Sequence, residues 1–281
     1  MGEIMDSKIG LVLSGGGGKG AFEIGAWKAL RRLGIDEKIQ VISGNSIGSL
    51  NAVMFMVGEL DLALKMWRNL SQKEALPLSA TQLLGLYKQY KKGITNILEE
   101  DTIVDSSGYQ EIIGSYVDFE KVRNSKIKGY ISAYNMDDDI VDYFTVNDKS
   151  DEEIERLIKA SSALPGLFDP IKINDKFYRD GCIKDNVPIE PLYKEGCNEI
   201  IIIYLGEDER VDLPKYQGVK FYEIYPRVNL GGMLDGNLDF SGSGANKRIL
   251  QGYLDTMAYF DKLAYEEGIP LNELDIIGEI K

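Results

Sequence analysis

The chain has 281 residues, 44% of them hydrophobic and 27% charged, and its 45 acids against 32 bases give a formal net charge of −13. That length and balance suit a globular protein with a substantial core, and the acidity sets the chain against nucleic-acid phosphates as partners. No histidine occurs anywhere, which excludes a Ser-His-Asp triad, a Cys-His pair and a histidine metal centre, so any hydrolytic chemistry needs another base.

Residues Ile9 to Ser14 read as a short buried strand that runs straight into a glycine tract, and Ala21 to Leu33 carry apolar residues at helical spacing. Ile39 to Ser43 predict a second buried strand, Ile47 to Val57 a buried helix, and Leu60 to Leu70 an amphipathic one. This β-α-β-α opening implies parallel strands with helices on the sheet. From Ser71 to Asp105 leucines mix with Lys88, Lys91 and Lys92, which predicts a helical insertion over a site. Leu83, Leu84 and Leu86 would line an acyl pocket, and the three lysines would face lipid head groups. An ordinary surface helix pair fits the same pattern. Further strands are expected at Ile127 to Tyr134, Ile140 to Val146, Phe177 to Arg179, Glu199 to Leu205 and Lys220 to Tyr225. Ser150 and Glu153 predict a capping box, Ser161 to Pro170 a turn-rich loop, and Asn246 to Glu267 a long closing helix. One domain over residues 1–281, with the insertion at about 71–105, is the simplest organisation.

Cys182 and Cys197 make no CxxC pair and read as reduced thiols of a cytosolic protein. The N-terminal MGEIMDSKIG lacks the layout of a secretion leader, and no apolar run approaches the length of a membrane span. The expected setting is therefore cytoplasmic, with transient contact at a membrane surface.

Three motifs carry chemistry. Gly15-Gly16-Gly17-Gly18-Lys19-Gly20 joins the first strand to the first helix, where bare N–H groups beside a helix N-terminus can hold a phosphate or a transient oxyanion. It fits GxGxxG, but the second strand ends in Gly44-Asn45-Ser46 with no carboxylate to hold a ribose, and Gly20 stands where a P-loop needs Ser or Thr. A nucleotide-binding regulatory module stays open as a reading of this loop alone. Gly44-Asn45-Ser46-Ile47-Gly48 is a GxSxG between a strand and a helix, the setting of a nucleophile elbow. Asp180-Gly181 is ordinarily a turn, yet a serine nucleophile without histidine needs a carboxylate to take its proton.

In this order the three motifs resemble those of the patatin-like phospholipases. The likeness extends to Ala160-Ser161-Ser162-Ala163-Leu164-Pro165-Gly166-Leu167-Phe168 before the aspartate and to Asp185-Asn186-Val187-Pro188 after it. It covers residues 9–70 and 126–205 well, with a weaker echo in Gly252-Tyr253-Leu254-Asp255. The resemblance implies a three-layer α/β/α sandwich with a mostly parallel sheet and a Ser-Asp dyad, with Ser46 as nucleophile and Asp180 as base. It implies an oxyanion hole at Gly16, Gly17 and Gly18, with Gly15, Gly20, Gly44, Gly48 and Gly181 as motif glycines. The implied substrates are lipid acyl esters, cleaved in the manner of a phospholipase A or lysophospholipase and without metal or organic cofactor. An acyltransferase on the same dyad is the alternative. Cys182 departs from the family, which usually has Gly or Ala after Asp-Gly, and its larger side chain would crowd the dyad.

Overall fold

The computed structural model describes residues 7–91, 93, 98, 102–104, 106–206, 209 and 211–268. In chain order the elements are β1 (Ile9–Leu13), α1 (Ala21–Arg32), β2 (Ile39–Asn45), α2 (Ile47–Val57) and α3 (Leu60–Asn69). Then come α4 (Gln72–Ala75), α5 (Ala80–Tyr90), α6 (Ser107–Tyr116), α7 (Phe119–Asn124), β3 (Lys128–Asn135), β4 (Ile140–Thr145) and α8 (Asp151–Ser161). The chain continues through β5 (Ile171–Ile173), β6 (Lys176–Asp180), α9 (Glu190–Lys194), β7 (Glu199–Ile203), β8 (Lys220–Ile224) and α10 (Gly242–Glu267).

The strands form one sheet in the order β5-β6-β3-β2-β1-β7-β8, with β4 on the other edge of β3. Pairing is parallel from β3 through β2, β1 and β7 to β8, and antiparallel around β4, β5 and β6. β1 and the four isoleucines of β7 are buried because both faces of these strands are covered. Along β1 the residues alternate. Ile9, Leu11 and Leu13 join the larger core with α1, α2, α3, α8 and α10, while Val12 joins a smaller one with Val187, Ile189 and Leu192 on the opposite face. The result is a three-layer α/β/α sandwich with one thick and one thin helical layer.

The strand and helix expectations hold in type, with limits moved by a few residues. Ser150 and Glu153 form the expected capping box at the start of α8. The closing helix starts earlier than expected, at Gly242, where Ser241 caps it through a bond from Gly244 N–H at 3.1 Å. The 71–105 segment forms α4 and α5, each opened by a capping box, at Ser71–Glu74 and at Ser79–Gln82. Lys92 and part of the stretch after it lie outside the described residues.

The edge of β3 opposite β4 is shared end to end by two strands. β2 runs parallel to its first half and ends with Asn45 opposite Ser132; β6 runs antiparallel to its second half and ends with Asp180 opposite Ala133. The carboxyl ends of β2 and β6 therefore point at each other. The carboxyl ends of β1 and β7 open on the same side, which is where open α/β sheets place their ligands.

Candidate active site

Ser46 follows β2 directly and holds φ 52° and ψ −126°, a conformation that non-glycine residues rarely adopt. The sharp turn brings α2 back across β2 so closely that a Cβ on Gly44 would strike the Gly48 carbonyl. One on Gly48 would lie 2.5 Å from the Leu13 carbonyl oxygen. The two outer glycines of GxSxG are thus demanded by space. Backbone groups of the turn are fixed from outside: Ser161 Oγ accepts from Ser46 N–H at 2.8 Å, and Ser49 Oγ donates to the Ser46 carbonyl at 2.6 Å. A serine before a helix usually spends its hydroxyl on capping, but the Ser46 side chain makes no cap bond and is free for another partner.

Asp180 lies beside Ser46 in the wall of the same cavity. Its carboxyl is buried, 1% exposed, and burial pushes its pKa above the ordinary aspartate range. The neighbouring Ser46 hydroxyl, the Cys182 N–H and thiol, and the Asn45 amide pull the other way. Cys182 N–H and Asn45 Nδ2 both donate to Oδ1, at 2.9 and 3.1 Å. The Cys182 backbone N–H serves Asp180 as a donor, its side chain is half-buried, and burial beside that carboxylate raises its thiol pKa. Cys182 and Cys197 are both free thiols. Asp169 and Asp185, the other carboxylates near in sequence, are engaged elsewhere, Asp169 by Thr102 Oγ1 at 2.7 Å and Asp185 by the Tyr143 hydroxyl at 2.6 Å.

The glycine tract forms a tight turn over Gly17–Gly20 that leads into α1. Gly15, Gly16 and Gly17 face the same cavity as Ser46 and Asp180. Gly17 has φ +56°, and a Cβ there would collide with the Asn237 carbonyl. The first donors of a helical turn have no partner within it, and among the described residues no acceptor engages the N–H groups of Gly16 and Gly17. Gly18, expected beside them, packs against the backbone of Gly236 and Asp239, and its carbonyl takes Arg248 Nη1 at 3.3 Å. Gly20 packs against Ile47, and Gly181 against the Asn45 amide.

The cavity encloses about 330 Å³. Ser46, Asp180 and the glycines line it together with apolar groups, among them Leu50, Trp67, Ile112, Leu164, Phe168 and Phe240. Trp67 and Phe240 stack with centroids 6.2 Å apart. From the 71–105 segment the wall takes Ala75, Leu76 and Tyr90, the last anchored by its hydroxyl to the Pro165 carbonyl at 2.6 Å. The three leucines expected there sit elsewhere. Leu86 is buried with Leu76, Val104, Leu167 and Leu238, Leu83 packs against that cluster, and Leu84 points outward at 53% exposure. Lys88 and Lys91 are exposed, with Lys91 over the Tyr87 ring.

Asn45, Ser132, Ser161, Asn186 and Glu209 also hold or line the site. Ser161 and Asn186 fall in the flanking stretches that carry the family resemblance, whereas Glu209 carries no local signal in the sequence. Among the described residues no group of three or more Cys, Asp or Glu is placed to hold a metal ion, and no helix is long and apolar enough to cross a membrane.

Lysophospholipase NTE1 of Candida albicans is 25% identical over 219 residues, 75% of this chain and 14% of that protein. Its counterpart in Cryptococcus neoformans var. neoformans serotype D is 28% identical over 212 residues, 71% of this chain and 11% of that one. The chain thus spans 11–14% of the length of these curated relatives. Among solved structures, VipD from Legionella pneumophila matches with a TM-score of 0.50 at 16% identity, over 92% of this chain and 67% of that one. Human GIVD cytosolic phospholipase A2, in complex with methyl gamma-linolenyl fluorophosphonate, matches with a TM-score of 0.50 at 8% identity, over 94% and 59%. These likenesses show the fold. A family model described as patatin-like phospholipase matches residues 11–193, a stretch that opens in β1, closes in α9 and takes in the glycine turn, Ser46 and Asp180. With its motifs in that order on that sheet, the chain belongs to the patatin-like phospholipase family.

Proposed function

We propose that the chain is a carboxylic-ester hydrolase of lipid acyl esters, with Ser46 as nucleophile, Asp180 as base and the N–H groups of Gly16 and Gly17 as oxyanion hole. One observation carries this reading: a buried carboxylate stands beside the hydroxyl of a strained-turn serine in the wall of a largely apolar cavity. Since Asn45 and Cys182 N–H occupy Oδ1, the other oxygen of Asp180 is available to the serine. Burial raises its proton affinity, which favours a base that must accept a hydroxyl proton in the transition state.

In the first half-reaction Ser46 Oγ bonds to the ester carbonyl carbon as its proton passes to Asp180. The carbonyl oxygen takes the negative charge, facing the glycine donors, each worth about 3–4 kcal/mol to such an intermediate. Collapse breaks the bond to the leaving alkoxide, which takes the proton from Asp180 and departs as the alcohol. Water then attacks the acyl-serine, gives its proton to Asp180, and the tetrahedral intermediate releases the fatty acid and returns the proton to Ser46. The apolar wall supports a fatty-acyl chain as the group held, since each CH₂ buried there gains about 0.8 kcal/mol. In this reading α4 and α5 roof the acyl chain through Ala75, Leu76 and Tyr90.

Labelling with a serine-directed alkyl fluorophosphonate tests the reading. The wild type should be labelled once, at Ser46, and should release fatty acid from lysophospholipid micelles; absence of both sinks it. Transfer of the acyl group to an added alcohol in place of water would assign the same residues to an acyltransferase.

A further inference from the structure

Glu209 lies on the loop that leaves β7, in the wall between two cavities. One is the apolar cavity at Ser46. The other is a polar groove of about 570 Å³, bounded by Asp139, Tyr143, Lys184, Asp185 and Lys215. Asn186 lies in the same wall.

Between Glu209 and Asp180 stand two side-chain amides with every proton committed. Asn186 Nδ2 donates to Glu209 Oε1 at 2.9 Å and to the Gly15 carbonyl at 3.1 Å. Asn186 Oδ1 accepts from Asn45 Nδ2 at 3.1 Å, and Asn45 Nδ2 also donates to Asp180 Oδ1 at 3.1 Å. Asn45 Oδ1 in turn accepts from Ser132 Oγ at 2.9 Å. Reversing Asn186 would set its oxygen against the Gly15 carbonyl and the Glu209 carboxylate, three acceptors without a proton among them. It would also turn Nδ2 onto the Asn45 amide nitrogen. Asn45 could answer by reversing as well, and would then aim its own oxygen at the Asp180 carboxylate.

We propose that Glu209 is a positioning residue for the ester hydrolysis. Its carboxylate locks Asn186, and through Asn186 the Asn45 amide, in the orientation that supplies Asp180 with a donor and anchors the Gly15 carbonyl. The assignment rests on the reading of Ser46 and Asp180 as the reacting pair.

Burial pushes the Glu209 carboxyl up to about 7, while the nearby Ser14 hydroxyl, the bond from Asn186 and the charge of Lys19 hold it down; its Oε2 has no hydrogen-bond partner among the described residues. The groups around it come from several elements. Lys19, in the turn before α1, is lowered by its own burial and faces Arg248 of α10. Glu23 of α1 is strongly raised by burial, and Cys182 and Tyr225 complete the set. Above neutrality the ionised carboxylate accepts only, and the lock holds. Below it the protonated carboxyl can donate to a reversed Asn186 oxygen, the Gly15 carbonyl alone is left to hold the amide, and the lock loosens.

The test compares the wild type with Glu209→Gln and Glu209→Leu between pH 5 and 9, with p-nitrophenyl butyrate as substrate and butyrate quantified by chromatography. In the wild type kcat should fall through an upper acid step near 7 and then through the lower step of Asp180. Glu209→Gln should fold, keep the lower step and lack the upper one. Glu209→Leu, with no acceptor at all, should lose roughly tenfold in kcat at pH 8 with KM little changed, the scale of one hydrogen bond to a charged group. The side-chain amide resonances of Asn186 should titrate in the wild type and stand still in Glu209→Gln. An upper step that survives in Glu209→Gln, or Asn186 amide resonances indifferent to pH in the wild type, overturns the proposal. Should the wild type neither hydrolyse esters nor take fluorophosphonate, the reading of Ser46 and Asp180 fails instead, and the amide titration still decides whether Glu209 governs Asn186.

Discussion

Asn45 and Asp180 occupy successive places along one edge of β3, Asn45 closing β2 opposite Ser132 and Asp180 closing β6 opposite Ala133. Two strands that approach β3 from opposite directions thus stop tip to tip. Their side chains bond across the gap at 3.1 Å, and Ser46 is the next residue after the first tip. A sheet strand is among the stiffest supports a protein has, so a serine and a carboxylate far apart in sequence are held in register by backbone pairing.

Ser46→Ala should remove fluorophosphonate labelling and ester hydrolysis. The bonds that fix the turn use the backbone N–H and carbonyl of residue 46, which alanine keeps. The melting temperature should therefore stay within about 4 °C of wild type, the shift for 1 kcal/mol in a domain of this size. Hydrolysis within tenfold of wild type would remove Ser46 from the mechanism.

Asp180→Asn preserves shape but cannot accept a proton, so kcat should drop at least about a hundredfold. The active form has the carboxylate ionised, and burial raises its pKa, so activity should be lost on acidification at a pH above the ordinary aspartate range. In the Glu209→Gln background that step should stand alone. An acid limb identical in Asp180→Asn would assign it to another group.

Gly48→Ala should destabilise the protein by about 1–3 kcal/mol, the usual cost of forcing a methyl into filled space. The obstacles are the Leu13 and Ser14 carbonyl oxygens at 2.5 and 2.7 Å, backbone atoms of the central strand that cannot rotate aside. Thermal denaturation measures it; an unchanged transition would mean that the elbow relaxes freely.

Leu164 and Met233 are partly buried and face the cavity. Changing both to glutamine should cut turnover of long-chain esters far more than that of acetyl esters, because only a long chain gains about 0.8 kcal/mol for each CH₂ laid against that wall. Specificity constants over a series of p-nitrophenyl esters provide the readout. Equal losses at every length would point to general destabilisation.

Glu23 is 1% exposed, and burial raises its pKa well above the usual glutamate value; Asn51 Nδ2 bonds one oxygen at 2.7 Å, and the other has no partner. Between its unfolded and folded pKa values the native state holds a proton that the unfolded chain has lost. Stability should therefore decline as pH rises through that window, by about 1.4 kcal/mol per unit. Glu23→Gln should flatten the decline in denaturant titrations from pH 5 to 8. Parallel curves for the two proteins would show that Glu23 does not titrate on unfolding.

The sequence made the parallel core and the two reacting candidates legible because each leaves a local trace. Apolar runs mark β1 and β7, and glycines at fixed spacing mark Gly44 and Gly48. The half of the site that comes from afar left none: Trp67, Asn237 and Phe240 are ordinary residues whose meaning comes from where the chain carries them. Leucine density in residues 71–105 announced burial but not direction: Leu76 and Leu86 share one buried cluster, yet of the two Leu76 lines the cavity. α6 escaped notice because Gly108 and Gly114 interrupt its helical pattern, and the three-residue β5 is too short for alternation to register.

Arg248 gathers the loop before α10 onto the glycine turn. Its guanidinium holds the carbonyls of Gly18, Asp235 and Asp239 at 3.3, 2.7 and 2.9 Å and the Asp239 carboxylate at 2.8 Å. The Asn237 carbonyl thereby sits where any side chain on Gly17 would have to go. The stretch that marks the family ends at residue 193, so the clasp over its most recognisable glycines is supplied by chain beyond it. Kinship is written in the first two thirds of the molecule, whereas the glycine turn is clasped by α10 and the loop before it. Variation in that helix can retune the turn while every family motif stays intact.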